Sequence, residues 1–292
     1  MTFIIAGGKG QLGLALQRRF SEKGVAFRAL NHQELDITSQ DSIARLSNRQ
    51  PTDIINCAAW TNVDGAESNI ERARLVNRDG VKNLSKFSKG LHIPFLHIST
   101  DYVFAGDQNE PLRINAPTNP ESIYGKTKLE GEQEVLSAYP EGSYIIRTAW
   151  LYSPWRKNFA KTMTKRALTN SPSRVVSDQF GQPTSALDLA NQILLILERK
   201  PKVGTYHGTN SGIASWFDFA QEIYHLSKAD TALVSPIPTS EFDTPAIRPK
   251  YSVLDHSTWQ EVGLEPMREW KTALKSVFVE IRREVERELE DG

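Results

Sequence analysis

The most constraining feature of this 292-residue chain is a cluster of glycines that directly follows its first apolar run. Residues 3–6 are apolar, residues 7–13 read Gly-Gly-Lys-Gly-Gln-Leu-Gly, and Leu12, Leu16 and Phe20 then recur at helical spacing. A strand, a glycine loop and a helix form the context of a dinucleotide-binding fingerprint, because a pyrophosphate can approach the free N–H groups of the helix. An ordinary glycine-rich turn is the alternative, and the position after the first strand favours cofactor binding.

The remainder of the first half alternates between predicted strands and predicted helices. Repeated alternation of this kind is typical of an α/β fold, a Rossmann-type doubly wound parallel sheet with right-handed crossovers. Strands are predicted at 2–6, at 25–30, from 53 into a loop of small residues, at 93–98 and at 143–148. One helix is predicted after the glycine loop, a second from a cap at Thr38 or Ser39 to about residue 49, and a third from about 123 to 138.

The second half is more polar and predicts a smaller substrate-binding lobe. Helices are expected at 158–169, 186–199, 216–226 and 268–289, short strands at 174–176 and 204–207, and irregular chain at 235–250. We therefore expect a dinucleotide-binding domain at 1–150, with segments near 174–208 returning to it. Residues 151–292 are expected to form mainly the substrate-binding lobe.

Composition excludes several classes of function. Thirty-five basic and 35 acidic residues cancel, which argues against a nucleic-acid footprint or a polybasic membrane surface. A single cysteine, Cys57, rules out an internal disulfide and fits a reducing compartment. The opening apolar run is too short for a signal peptide, and the run at 193–197 is too short to span a bilayer. We expect a cytoplasmic protein.

The candidate catalytic pair is Tyr124 and Lys128, four residues apart in a predicted helix. Residues at this spacing share a helix face, and an ammonium there is expected to lower the pKa of the phenol from about 10 towards working pH. Thr100 lies at the predicted carboxyl end of the fourth strand, where open parallel sheets bind ligands. A tyrosine and a lysine at this spacing are common by chance, so the weight of the pair comes from the motifs that precede it.

The end of the second predicted strand bears on cofactor choice. Enzymes that select NAD often carry an acid there, whereas this chain has Asn31 and His32. Without a fixed carboxylate a 2′-phosphate is not repelled, so NADP(H) is expected to be tolerated. Asp36 follows and is read as an adenine contact, a loop acid or a helix cap. Ala58 and Ala59, after the third strand, suit close passage past the nicotinamide ribose, and tight packing explains them equally well.

Four motifs together resemble the extended short-chain dehydrogenase/reductase family, and further segments resemble its dTDP-4-dehydrorhamnose reductase branch. The resemblance runs from residue 7 to about 255. The family motifs are the glycine loop 7–13, Asn-Cys-Ala-Ala at 56–59, Ser-Thr-Asp-Tyr-Val-Phe at 99–104 and Tyr-Gly-Lys-Thr-Lys at 124–128. The branch segments are 99–104, 158–163, 178–184 and Arg-Pro at 248–249.

The resemblance implies hydride transfer from a reduced nicotinamide to C4 of dTDP-4-dehydro-L-rhamnose. Tyr124 would donate the proton to O4, and Lys128 would lower the pKa of Tyr124 and bind the nicotinamide ribose. Thr100 would hold the carbonyl oxygen, because a small hydroxyl suffices to donate one hydrogen bond to developing charge. The implied cofactor is NADPH, with NADH as an alternative, and the implied partner is a dTDP-sugar.

The resemblance also implies the residues that contact each ligand. The cofactor contacts are Gly7, Gly10, Gln11, Leu12, Gly13, Asn31, Asp36, Ile37, Ala58, Ala59, Thr61, Ile98, Tyr124 and Lys128. The substrate contacts are Thr100, Asp101, Trp150, Asn158, Gln182 and Arg248. Some members form dimers linked by magnesium through glutamates, and the matching positions here are Ala15 and Leu187, so no metal is predicted. A monomer or a homodimer is expected.

Two rival readings remain. Another extended short-chain enzyme, a nucleotide-sugar epimerase or dehydratase, is the first; dehydratases carry extra acids where Tyr102 follows Thr100 and Asp101 here. The second is a binding module such as the regulatory subunit of methionine adenosyltransferase, which need not keep Tyr124 and Lys128. Trp60, beside the loop of small residues, could stack near the sugar or pack in the core.

Overall fold

A computed structural model describes residues 2–291, and its centre is a sheet of six parallel strands. The strands in chain order are β1 (Thr2–Ala6), β2 (Phe27–Leu30), β3 (Pro51–Asn56), β4 (Phe95–Thr100), β5 (Ser143–Thr148), β6 (Leu151–Tyr152), β7 (Ser173–Val176), β8 (Phe180–Gly181), β9 (Thr184–Ser185), β10 (Gly204–His207), β11 (Ala214–Ser215) and β12 (Val234–Ile237). The main sheet has the order β10-β5-β4-β3-β1-β2. The direction of winding reverses between β1 and β3, so a ligand crevice is expected at their carboxyl ends. The predicted fold class is confirmed.

Eleven α-helices connect these strands within the described residues. They are α1 (Gln11–Glu22), α2 (Gln40–Ala44), α3 (Val63–Glu67), α4 (Ile70–Arg74), α5 (Val81–Gly90), α6 (Ile123–Ala138), α7 (Phe159–Leu168), α8 (Ala186–Arg199), α9 (Trp216–Leu226), α10 (Ser257–Glu261) and α11 (Trp270–Glu290). A π-helical turn, Leu75–Gly80, joins α4 to α5. Within residues 2–291, no helix combines the length and the hydrophobicity needed to cross a membrane.

Helices cover both faces of the main sheet. Successive residues of a strand point to opposite faces, so neighbouring residues pack in different clusters. Ile5 joins a buried cluster with Leu16 of α1 and residues of α8, whereas its neighbour Ile4 joins a second cluster with Val135 of α6. All four side chains are fully buried. Each contributes on the order of 1.5–3 kcal/mol through removal of apolar surface from water. The carboxyl ends of the strands are thus held on a rigid three-layer base.

The second half forms three small two-stranded sheets, β11-β8, β12-β7 and β6-β9. The expectation of irregular chain at 235–250 is wrong at its start, because β12 pairs in parallel with β7. Residues 174–176, as β7, pair with β12 outside the main sheet, whereas residues 204–207, as β10, pair with β5 inside it. We propose on this basis that 1–150 together with α8 and β10 form the dinucleotide-binding domain.

Candidate active site

The glycine loop connects β1 to α1 through close backbone packing. A Cβ added to Gly7, which has φ +79°, would lie 2.7 Å from the nitrogen of Ala58, and one on Gly13 would lie 2.5 Å from the oxygen of Gly7. Helix α1 begins after Gly10 with no side-chain cap, whereas Ser122 caps α6 and Asn158 caps α7. The first N–H groups of α1 are therefore left for an anion, and this loop fits a dinucleotide pyrophosphate.

The loop after β3 is held from inside by two asparagines. The backbone N–H of Ala58 donates to Oδ1 of Asn56 at 3.1 Å, and that of Trp60 donates to Oδ1 of Asn77 at 2.8 Å. Asn77, in the π-helical turn, also donates to the carbonyl of Trp60 and to the hydroxyl of Thr127 in α6. Asn77 is therefore a buried polar group whose hydrogen bonds are satisfied within the protein. The hydrogen bonds of Asn77 connect the loop after β3 to α6, the helix that carries Tyr124 and Lys128.

Close packing fixes the first turn of α6 beside the end of β4. A Cβ on Gly125 would lie 2.2 Å from the carbonyl oxygen of Tyr102, so only glycine permits this approach. The rings of Tyr102 and Tyr124 meet edge to face with centroids 5.6 Å apart. Tyr124 therefore lies beside the 3-10 turn Asp101–Val103, which follows Thr100 directly.

Lys128 is buried and bonds the sheet rather than Tyr124. Its Nζ donates to the carbonyl of Ile98 at 2.5 Å and lies 3.4 Å from Nε2 of His97, which is itself fully buried. Burial lowers the pKa of Lys128 to about 8. The ammonium is therefore fixed by the strand that also carries Thr100.

The expectation that Lys128 lowers the pKa of Tyr124 is wrong in this structure. Burial raises that pKa to about 12, the nearby hydroxyl of Thr100 lowers it, and the charge of Asp101 raises it. Removal of the phenol from water therefore outweighs its favourable contacts. Tyr124 is protonated at neutral pH, which is the state that a proton donor requires.

Thr100 and Asp101 form a buried hydroxyl–carboxylate pair. Oγ1 of Thr100 donates to Oδ1 of Asp101 at 2.9 Å and accepts from the backbone N–H of Tyr102 at 3.2 Å. Within the described residues, Oδ2 of Asp101 has no hydrogen bond of normal geometry. Burial raises the pKa of Asp101 to about 6, although the hydroxyls of Ser252 and Thr100 lower it. The pair thus presents a poorly satisfied acceptor next to Tyr124.

The end of β2 differs from the sequence-based expectation, because a carboxylate is fixed there. Oε2 of Glu34 accepts from the backbone N–H of Asn31 at 2.9 Å and from its side-chain amide at 2.5 Å. Oδ1 of Asp36 accepts from both the N–H and the hydroxyl of Thr38, so this carboxylate holds a local turn, and its contact with the adenine stays a prediction. Ile37 is 3% exposed, so its side chain belongs to the core, and its contact with the cofactor stays a prediction.

The ring of Trp150 packs against Trp216 and against the backbone of Gly181. It stacks on Trp216 with centroids 3.7 Å apart and an interplanar angle of 10°. A Cβ on Gly181 would lie 2.6 Å from the indole, so the backbone of Gly181 lies close against the ring of Trp150. The backbone of Trp150 has φ +45°, a conformation that tertiary packing must maintain.

Two predicted nucleotide contacts are occupied by the protein itself, and we remove both from the proposed substrate site. Gln182 is 3% exposed, and its Oε1 accepts from the N–H of Leu254 and the hydroxyl of Thr209, both at 2.8 Å. Asn158 caps α7, and its Nδ2 donates to Oε1 of Gln11 at 2.9 Å. These amides hold loops together and have no free polar group of their own to offer.

Arg248 forms a two-pronged ion pair that the sequence did not reveal. Its guanidinium donates to Oδ1 of Asp64 at 3.2 Å and to Oδ2 at 2.9 Å. The pair lowers the pKa of Asp64 and ties the segment around Arg248 to α3. The sequence does not predict this ion pair, because no residue pattern relates Arg248 to an acid 184 positions away. Glu34 did carry a signal, because it follows Asn31 at the spacing of a capping box.

The matching positions for a magnesium-linked dimer are both in the core, since Ala15 is fully buried and Leu187 is 6% exposed. Among residues 2–291, no group of three or more histidine, cysteine, aspartate or glutamate side chains could hold a metal ion.

The fold and the site together define an NAD(P)H-dependent reductase of the extended short-chain class. The crevice at the winding reversal has an uncapped helix N-terminus on one side and a tyrosine–lysine pair beside a threonine on the other. The sequence profile of the RmlD substrate binding domain family matches residues 1–283, and the chain belongs to this family.

Comparisons with individual proteins agree with this assignment. A probable dTDP-4,6-dihydroxy-2-methyloxan-3-one 4-ketoreductase of Streptomyces antibioticus is 41% identical over 283 residues, or 96% of each chain. The crystal structure of a dTDP-4-dehydrorhamnose reductase from Clostridium acetobutylicum is 42% identical, with a TM-score of 0.91, and covers 96% of this chain and 99% of its own. That of Bacillus anthracis dTDP-4-dehydrorhamnose reductase in complex with NADP is 35% identical, with a TM-score of 0.92 and the same coverage.

Proposed function

We propose that this protein reduces the C4 ketone of dTDP-4-dehydro-L-rhamnose to give dTDP-L-rhamnose, with NADPH as hydride donor. The observation that carries the proposal is the convergence of Thr100, Tyr124 and Lys128 at the carboxyl end of β4, next to the glycine loop's crevice. Relatives with nearly full coverage are named as reductases of dTDP-4-keto sugars, and one was solved with NADP.

The chain's own residues perform the acid catalysis and the positioning. When bound, the reduced nicotinamide supplies the hydride to C4. Tyr124, protonated because burial raises its pKa to about 12, donates its proton to O4 as negative charge develops there. Thr100, whose hydroxyl donates to the carboxylate of Asp101 in this structure, turns that hydroxyl to the same oxygen.

Lys128 acts from the sheet side of the pair. Its ammonium is fixed by the carbonyl of Ile98, one turn of α6 away from Tyr124. As the phenol of Tyr124 loses its proton, the positive charge of Lys128, one helical turn away, stabilises the phenolate. The stabilisation is stronger because the site is largely closed to water. In this proposal Lys128 lowers the pKa of Tyr124 in the reacting complex, although it does not do so in the free protein.

The rival readings are weaker. A binding module need not keep Tyr124 and Lys128, whereas both are present here, and Lys128 is buried beside the end of β4. A specific observation favours one second candidate: two relatives are named as 4-keto reductases of other dTDP-sugars, so the sugar could be a different dTDP-4-keto-6-deoxyhexose.

The remaining parts of the proposal concern contacts and setting. Asp101 and Trp150 contact the sugar, and the loop at 7–13 with Ala58, Ala59 and Thr61 contacts the cofactor. The chain acts as a monomer or a homodimer. A cytoplasmic location is proposed because a single half-buried cysteine fits a reducing compartment.

A coupled assay tests the function. Purified protein with NADPH is expected to lose absorbance of the reduced cofactor only after dTDP-4-dehydrorhamnose is added. The same assay with other dTDP-4-keto-6-deoxyhexoses ranks the second candidate by kcat/KM. Absence of turnover with every sugar, while NADPH demonstrably binds, would favour the binding module.

A further inference from the structure

A chain of buried polar side chains runs from the end of β3 to Lys128. The register of the main sheet pairs Asn56 of β3 with His97 of β4, so the two side chains lie on the same face. Nδ2 of Asn56 lies 3.2 Å from Nδ1 of His97, and Nε2 of His97 lies 3.4 Å from Nζ of Lys128. Asn56 and His97 are fully buried, and Lys128 is 2% exposed. His97 therefore bridges β3 and α6 through its two ring nitrogens.

The amide of Asn56 determines which nitrogen of His97 carries the proton. Oδ1 of Asn56 accepts from the backbone N–H of Ala58 at 3.1 Å, so the amide nitrogen faces the histidine. An amide nitrogen only donates, and Nδ1 of His97 must therefore accept. Burial lowers the pKa of His97 well below its usual range, and the charge of Lys128 lowers it further, so the ring is neutral. A neutral imidazole has one N–H, and in His97 it is at Nε2.

The hydrogen at Nε2 of His97 faces Lys128 and leaves the ammonium without an acceptor on that side. Nζ of Lys128 donates instead to the carbonyl of Ile98 at 2.5 Å. An N–H group opposes an ammonium but can donate to the lone pair of a neutral amine, so this contact favours the uncharged form of Lys128. Burial lowers the pKa of Lys128 to about 8, and the contact with His97 acts in the same direction.

The ionisable groups around Lys128 do not offset this contact. Glu132, one turn further along α6, raises the pKa of Lys128, but both of its oxygens accept from the guanidinium of Arg147. Cys57, after β3, also raises the pKa of Lys128, but burial raises the pKa of that thiol to about 12, so it is uncharged at neutral pH. Tyr124 on α6 is likewise protonated. None of these three side chains supplies an unpaired negative charge to the ammonium.

We propose that His97 is a positioning residue for Lys128, and that its Nε2–H leaves the ammonium without a hydrogen-bond acceptor on the sheet side. Lys128 is thereby held by the carbonyl of Ile98, and it loses its proton at a lower pH than it would beside an acceptor. Above that pH the phenolate of Tyr124 has no positive charge to stabilise it, so residue 97 sets the alkaline limit of turnover. The inference rests on the function proposed above only for this effect on turnover.

Nitrogen NMR on the native protein without cofactor tests the tautomer. Correlations between ring protons and ring nitrogens identify the protonated nitrogen of each histidine. His97 is expected to keep its proton at Nε2 from about pH 5 to about pH 9. His207 is the matched control, because it is also buried and neutral, but its Nδ1 lies 3.0 Å from the carbonyl oxygen of Asp255 and must donate there. A proton at Nδ1 of His97, or an imidazolium, would overturn the inference.

A glutamine at position 97 replaces the donor by a group that can accept. In His97→Gln the amide reaches the position of Nε2 and can turn its oxygen to the ammonium, so the pKa of Lys128 is expected to rise from about 8 to roughly 9. NMR of lysines labelled at Cε follows this titration, and loss of the signal in Lys128→Met assigns it. The alkaline limb of kcat against pH should move upward equally. His207→Gln should change neither, since β5 separates β10 from β4.

A purely structural role for His97 would give a different pattern. Loss of stability in His97→Gln with an unchanged pKa of Lys128 would overturn the inference, as would an equal change of that pKa in His207→Gln. If His97→Gln does not fold, the tautomer of the native protein still decides the inference. A native protein that reduces no dTDP-4-keto sugar would overturn the proposed function, whereas the NMR measurements would still support or overturn the role of His97.

Discussion

The cofactor side of the cleft and the second half of the chain differ in how many of their polar groups the protein itself uses. On the cofactor side, α1 begins without a side-chain cap, and Oδ2 of Asp101 has no good partner among the described residues. In the second half, the amide of Gln182 is fully engaged by protein groups, and Arg248 is held by Asp64.

This difference teaches that a motif identifies where a residue lies more reliably than what it does. Gln182 and Thr100 both belong to segments that resemble the same reductase branch. One ends in a saturated buried network, and the other ends beside an unsatisfied acceptor. Groups that the fold leaves unsatisfied are the ones available to a ligand, because buried polar groups otherwise find partners within the protein.

The largest effect is expected from Tyr124→Phe. Only the transferable proton is removed, so kcat should fall by roughly 10²–10⁴-fold while cofactor binding persists. Turnover assays and cofactor titration measure the two quantities separately. Tyr102→Phe is the matched control, because its ring contacts that of Tyr124, and it should stay within roughly tenfold of the native rate. Equal losses in both variants would break the contrast, because the phenol of Tyr124 would then have no special role.

The second effect concerns the free energy of unfolding and its dependence on pH. Burial raises the pKa of Asp101 from 3.8 to about 6, so the folded state loses stability as pH rises through this interval and the loss persists above it. Asp101→Asn removes this cost, which corresponds to about 3 kcal/mol. We expect the variant to be more stable at pH 8, with the gain absent below pH 4, and to be less active. Urea denaturation at both pH values measures the gain; a gain independent of pH would contradict it.

Gln182→Ala sharpens the comparison from the other side. It leaves the buried N–H of Leu254 without its acceptor, removes one of the two partners of the Thr209 hydroxyl, and opens a cavity. A loss of roughly 2–3 kcal/mol of stability is expected, with little change in the KM for the sugar. Thermal unfolding and steady-state kinetics give the two values. Gln260→Ala, at an exposed position, is the control. A raised KM with unchanged stability would return Gln182 to the substrate site.

The smallest effect is expected for the ion pair of Asp64 and Arg248. If the pair is a tie between segments, Asp64→Ala and Arg248→Ala should each change the KM for the sugar only a few-fold, and the double variant should match either single one. A double-mutant cycle on KM measures this coupling. A much larger loss for Arg248→Ala alone would mean that the guanidinium binds the nucleotide.

The sequence predicted the elements well where local signals were complete. Helix α6 has the predicted bounds, because its start is set by a local cap. The side chain of Ser122 accepts from the N–H of Gly125, three residues further on. The glycine loop was recognisable because tight backbone approach leaves few residue choices. Strand β2 begins two residues later than expected, since Val25 and Ala26 lie before the paired register.

Burial and long-range pairing were beyond what spacing can express. The pKa of Tyr124 depends on how fully α6 presses its first turn against Tyr102, which the Tyr-to-Lys spacing does not encode. The partner of Arg248 lies in a different half of the chain. The carboxylate of Glu34 was not predicted at the end of β2, because Glu34 lies three residues after Asn31. Only the turn brings the two side chains together.

The π-helical turn has a consequence for how this chain tolerates length changes. An α-helix rotates by about 100° for each residue, so deletion of a single position between Leu75 and Gly80 would restore regular winding and swing Asn77 away from its site. The loop after β3 and helix α6 would then both lose their hydrogen bonds to Asn77. The extra residue of the π-helical turn is therefore needed to hold the loop after β3 and helix α6 in their relative positions.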